Sequence, residues 1–183
     1  MKVKWLLLLL PFLFTGCLTF KTVEYDLTIT KDLSAKGKVI FRGIGSDVVD
    51  SDQRKLDLEG LYDYGLKSQD FVKDRKAEGK TVTGRKLYLK DDLLVAEIEF
   101  TVKHVGEIEG FYINDSYIYI DVDKDSELNA ANGEVNSYGG GKQVLWKKGP
   151  GKIQYSVSVF NDEQWAPFSL TQEYKNKYGS KTK

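Results

Sequence analysis

The sequence predicts an α+β fold that is mainly β: an antiparallel sheet of hairpins with a helical insertion after the second strand, a β-sandwich being the alternative. Three observations lead there. Two-residue alternation recurs along most of the chain, as in Val23, Tyr25, Leu27 and Ile29 set against Glu24, Asp26, Thr28 and Thr30. Short charged turns, Lys31-Asp32-Leu33-Ser34 and Lys90-Asp91-Asp92, separate the alternating runs. One stretch, 46–79, breaks the alternation with dense Asp and Lys and few β-branched residues.

The first hairpin joins the strand at Val23 to one around Val39 and Phe41, which alternate with Lys38 and Arg42; Ile40 is an apolar exception. Within 46–79 two helical pieces are expected, Gln53–Tyr62 and Gln69–Glu78, with Ser68 as N-cap and Gly79 just past the end. Leu58, Leu61 and Tyr62 share one helical face, and Phe71 and Arg75 another, so both pieces should lie on the sheet through a narrow apolar stripe. Strands resume at Arg85–Lys90. Leu94, Ala96, Ile98, Phe100 and Val102 then alternate with Glu97, Glu99, Thr101 and Lys103 to complete a second hairpin. Further strands are expected at Phe111–Ile113, Tyr117–Val122, Gln143–Trp146 and Ile153–Phe160. Three consecutive glycines make Ser137–Lys142 a loop, and Pro167 and Ser169 start a short terminal helix. The domain plan is a leader at 1–16, a tether at 17–21, one β-rich domain at 22–170 and a lysine-rich tail at 171–183 that should be solvated.

Cys17 is the sole cysteine. It follows Lys2 and Lys4, an apolar run from Trp5 to Phe14 interrupted by Pro11, and the small pair Thr15-Gly16. A spanning helix needs roughly 20 apolar residues, whereas the apolar region of a signal peptide takes about 7–15. The segment resembles a bacterial lipoprotein signal, whose box here reads Phe14-Thr15-Gly16-Cys17; Phe14 departs from the usual aliphatic residue. The resemblance implies cleavage before Cys17, a diacylglyceryl thioether on its sulfur and acylation, with palmitate for example, at its new amino group. Two or more chains hold a protein firmly on a membrane, at about 0.8 kcal/mol per buried methylene, while one does so marginally. Leu18, in place of an aspartate, implies the outer membrane rather than the inner one.

Removal of residues 1–16 leaves 25 basic and 27 acidic residues, one histidine and no cysteine beyond Cys17. This balance speaks against a nucleic-acid binder, and the composition removes Cys–His catalysis and multi-histidine zinc sites. The length is that of one domain, sufficient for a core without disulfides. Asp121, Asp123 and Asp125 open like a calcium loop. Ser126 and Asn132 stand where the loop needs its glycine and its bidentate glutamate, so a solvated turn is expected. His104 reads as a surface residue at a strand end, and Gly139-Gly140-Gly141 lacks the setting of a phosphate loop. The aromatics Tyr62, Tyr64, Phe111, Tyr112, Tyr117, Tyr119, Tyr138, Trp146 and Trp165 are numerous, and Tyr117 and Tyr119 alternate with Ile118 and Ile120. Such rows either pack across strands or, exposed, bind sugar, lipid or protein.

The order of elements over Val23–Ser34, Phe71–Leu89 and Val144–Ser158, behind a lipidated cysteine, resembles envelope lipoproteins of the LppM-like type. That resemblance implies an envelope location and lipid or glycolipid contact, in a family with no established enzymatic activity. Cys17 alone carries over as a functional residue. The expected function is a non-catalytic, lipid-anchored envelope protein binding a lipid, glycan or protein partner at the membrane surface, without cofactor or metal. An assembly component of an envelope complex stands second, and a carboxylate-based hydrolase third.

Overall fold

The computed structural model describes residues 18–160, 162–165 and 168–179; the leader and Cys17 lie outside them. A six-stranded antiparallel sheet runs in the order β3-β4-β2-β1-β10-β7. Its strands are β1 Leu18–Ile29, β2 Ala35–Ser46, β3 Lys80–Lys90, β4 Leu93–Val102, β7 Glu127–Ala131 and β10 Gly151–Ser158. A smaller antiparallel sheet has the order β5-β6-β9-β8, from Phe111–Ile113, Tyr117–Val122, Gly141–Lys147 and Glu134–Tyr138. The helical insertion after β2 comprises α1 (Ser51–Gly60), a π-helical turn (Leu61–Lys67) and α2 (Gln69–Ala77). Two further helices follow β10, α3 (Asp162–Trp165) and α4 (Thr171–Tyr178). The fold is α+β and mainly β, as the sequence predicts.

The turns follow from their residues. Asp91 and Asp92 sit at φ +51° and +62° between the paired Lys90 and Leu93, a two-residue hairpin turn with both central residues left-handed. Aspartate tolerates that region better than most side chains. In the first hairpin the Asp32 carboxylate accepts from the Thr30 hydroxyl and from the Ser34 amide.

One face of the large sheet is apolar. The register sets Tyr25, Leu27 and Ile29 beside Val39, Gly37 and Ala35 of β2, then Ile98, Phe100 and Val102 of β4, and Ile153, Tyr155 and Val157 of β10 lie beyond β1. Two covers bury this face. Ile118, Ile120, Val144 and Trp146 of the small sheet close over Leu27, Ile29, Val102 and Ile153. Leu58 of α1 and Leu170 and Tyr174 at α4 close over Ile44, Leu89 and Leu94. Gly43 lets β2 serve the second cover. Strict alternation from Phe41 would turn Ile44 to the opposite face; at φ +64° Gly43 breaks the pleat, and Ile44 joins the helical cluster. The opposite face is a charged ladder in which Arg42 binds Glu24, Lys38 and Lys86 hold Glu97 at 3.6 and 2.9 Å, and Lys152 approaches Asp26.

Several sequence expectations need correction. The tether expected at 17–21 is strand from Leu18 onward, paired to Ser46. The tail expected from 171 is helical through Tyr178, with Thr171 and Tyr174 buried, because these residues and Tyr178 form one stripe among the lysines. The loop expected over Ser137–Lys142 shrinks to Gly139 and Gly140, both at positive φ, which turn β8 into β9. The strands β7 and β8 had no alternating pattern to announce them. Ser68 caps α2 as expected, its Oγ accepting from the Asp70 amide at 2.9 Å.

Candidate functional site

The two covers bury separate clusters of residues. Between them an apolar cavity of about 120 Å³ lies on the inner face of the large sheet. Its floor is Val39 and Phe41 of β2, Ile98 and Phe100 of β4 and Val82 and Leu87 of β3. A bulge at Thr83 brings Val82 and Leu87 to the same face although they are five positions apart. The roof is Leu61 and Leu66 of the π-helical turn and Phe71 of α2. Ile108, behind the 3₁₀ turn Val105–Glu107, closes one end, and Leu18, Thr19 and Phe20 of β1 form another wall. The Phe20 and Phe41 rings meet at 4.9 Å between centroids.

The aromatic walls are uncharged. Tyr25, which lines the cavity, stacks on Tyr155 at 5.2 Å and meets Phe111 edge-on. Burial pushes the Tyr25 phenol well above its ordinary range, and the Glu109 charge adds to this; burial does the same to Tyr155, helped by Tyr25. Tyr64 stands edge-on to Phe71 and donates to Asp74; burial, then that hydrogen bond, pushes it up to about 12.

Cations stand where the apolar floor ends. Arg85 follows the bulge and shares the inner face with Leu87 and Leu89. Its Nη1 donates to the carbonyls of Gly65 at 3.0 Å and Ser68 at 2.8 Å, and its guanidinium lies 5.5 Å from the Phe71 ring centre. Arg75 covers the same ring at 5.5 Å, and Arg75 and Lys80 share the Glu78 carboxylate at 2.8 and 3.4 Å.

Most of the residues singled out in the sequence lie elsewhere. Cys17 is outside the described residues. Asp121 accepts from Gln143 at 2.9 Å, while Asp123 and Asp125 are exposed in the turn before β7. Among the described residues no three His, Cys, Asp or Glu side chains converge as a metal site would need. His104 is exposed and structural: its Nδ1 accepts from the Gly106 amide while Glu107 reaches back to the His104 amide. The aromatics divide among several places. Phe111 and Trp146 are core, with Trp146 Nε1 donating to Asn132, and Trp165 is buried against Gly43. Tyr62 stacks on Tyr178, and Tyr112 stacks on Tyr119 on the outer face of the small sheet.

Sequence reasoning did not find the cavity. One signal was available: Arg85 keeps the parity of Leu87 and Leu89, a cation in a row otherwise apolar. Among the described residues no helix is long and apolar enough to cross a membrane. The chain matches no family model, no curated protein and no solved structure.

Proposed function

We propose that the chain is a lipid-anchored envelope protein that binds rather than reacts. Cys17 carries the anchor, and the cavity beneath α2 takes the acyl chain of a membrane lipid. The carrying observation is the cavity itself, whose wall at Leu18–Phe20 begins one residue after Cys17. Its volume approaches the roughly 150 Å³ at which an apolar protein cavity stays dry and takes up benzene. Each methylene moved from water into such a lining contributes about 0.8 kcal/mol. The resemblance of the leader to lipoprotein signals, with Leu18 after the cysteine, favours the outer membrane, and the charge balance favours no nucleic acid.

An assembly role in an envelope complex has one observation in its favour. The edge strand β8 is exposed along its whole length, Val135 at 45% and Tyr138 at 51%, and such edges pair with other chains. A carboxylate hydrolase has less support. The buried carboxylates Asp57 and Glu97 serve Ser46 and Gln53 in one case and lysines in the other, on different layers of the fold.

The test is native mass spectrometry of the protein purified from its own envelope after growth on labelled fatty acid. The expected result is label on the Cys17 peptide together with a non-covalent lipid. Ala96 sits on the cavity floor; Ala96→Phe should remove the non-covalent lipid and leave the covalent label. A wild-type protein free of lipid would reject the binding role, and an unlabelled Cys17 peptide would reject the anchor.

A further inference from the structure

We propose that the cavity selects a single acyl chain ending in an anion, a carboxylate or a phosphate, and that Arg85 binds the anionic end. The proposal rests on the lipid-binding role above and names its ligand class.

Three observations carry it. The first is size: about 120 Å³ admits the end of one chain, on the order of five carbons by comparison with benzene in its roughly 150 Å³ cavity, and leaves no room for two chains side by side. The second is the state of Arg85. A guanidinium has five N–H donors in a rigid fork that matches carboxylate and phosphate. Arg85 donates from Nη1 to two neutral carbonyls, and among the described residues no carboxylate forms an ion pair with it. A half-buried cation of this kind is ordinarily paired. Burial also lowers its basicity with no neighbouring charge to offset the effect. The third is the local balance: Arg75, Lys80, Arg85, Lys86 and Glu97 line the cavity, Glu78 answers Arg75 and Lys80, Glu97 answers Lys86, and Arg85 is left over. The rim is positive, the floor apolar, and a single-chain anionic amphiphile complements both.

Arg85 also has a structural duty, since it holds the end of the π-helical turn through Gly65 and Ser68. The experiment separates the two roles by varying the ligand first. The full-length lipoprotein, in phosphatidylcholine nanodiscs, is irradiated with diazirine-bearing hexanoic acid or with its methyl ester, and the labelled peptides are mapped. Acid label is expected on the peptides holding Leu66, Phe71 and Phe20, with the ester labelling them about tenfold less, the scale of one lost charge-assisted hydrogen bond. Unlabelled hexanoate and hexyl phosphate then compete, and the stronger competitor identifies the anion as carboxylate or phosphate. Arg85→Gln should match the ester's loss, and Arg85→Lys should recover part of it at an unchanged melting temperature. Equal labelling by acid and ester overturns the role of Arg85 even if Arg85→Gln fails to fold, and leaves the lipid-binding role standing. Absence of cavity label from both probes overturns both.

Discussion

Neighbouring residues on one strand carry very different weight, because the pleat sends them to opposite environments. Leu27 is fully buried between the sheets, whereas Asp26 faces solvent with Lys152 at 3.6 Å. Leu27→Ala should cost about 2–5 kcal/mol and Asp26→Ala under about 1 kcal/mol, read as urea midpoints; similar values for both would contradict the face assignment. Glu97 gives the outer ladder a pH dependence. Its burial works against ionisation, yet Lys86 and Lys38 prevail and hold its carboxyl below the ordinary value. A depressed folded pKa means stability present above the unfolded carboxylate pKa of about 4.3 and lost as pH falls through the lower folded one. Glu97→Gln should therefore be less stable than wild type at pH 7, and the gap should narrow towards pH 3. A gap that widens on acidification would reverse the sign. Alternation in the sequence announced both Leu27 and Glu97. It did not announce Ser46 and Asp57, a buried pair at 2.6 Å that fastens α1 to the end of β2, because neither residue belongs to a periodic row.

Whole elements were legible where a repeat with the right period ran long enough. The strands β1 and β4 alternate over most of their length, and Ser68 and Gly79 bracket α2 with recognisable capping residues. Both β7 and β8 lacked such a pattern: they are short, β8 is exposed throughout and held by hydrogen bonds to β9, and β7 offers only Leu128 and Ala131 to the core. The case of α4 is different. Lysines at 175 and 177 made it look like a solvated end, but they bind Asp92 and Glu59, while Thr171 and Tyr174 face inward. Thr171 Oγ1 accepts from the Leu94 amide, Tyr174 donates to the Leu87 carbonyl, and Arg54 of α1 reaches Glu173 at 2.8 Å. A chain ending after Leu170 should lose several kcal/mol, since it uncovers Leu94 and Leu58 and removes the Glu173 partner of Arg54. Circular dichroism on heating should show a much lower midpoint or no cooperative transition. An unchanged midpoint would mean that α4 merely rests on the surface.

At the scale of the molecule, one twisted sheet serves two covers built from different parts of the chain. The small sheet comes from 111–147, and the helical layer from 51–77 and the C-terminal end. Patterning in the sequence reveals that each cover exists, because each has its own apolar face. It holds no record of the space between them, because the break in the pleat at Gly43 that turns Ile44 to the helical cluster is not visible as a period. For that reason the cavity and Arg85's place beside it needed coordinates. The pairing of β1 with β10 has a consequence in time. Thr22 meets Ser158 across 136 positions, at the centre of the sheet on which both covers rest. A nascent chain emerging from its N-terminus can close the β1–β2 hairpin at once, but β1 keeps an open edge until β10, the last described strand, has been synthesised. Non-local closure of this kind slows folding. The central pairing of the sheet therefore waits through most of the chain's synthesis and closes only once residues 151–158 have emerged.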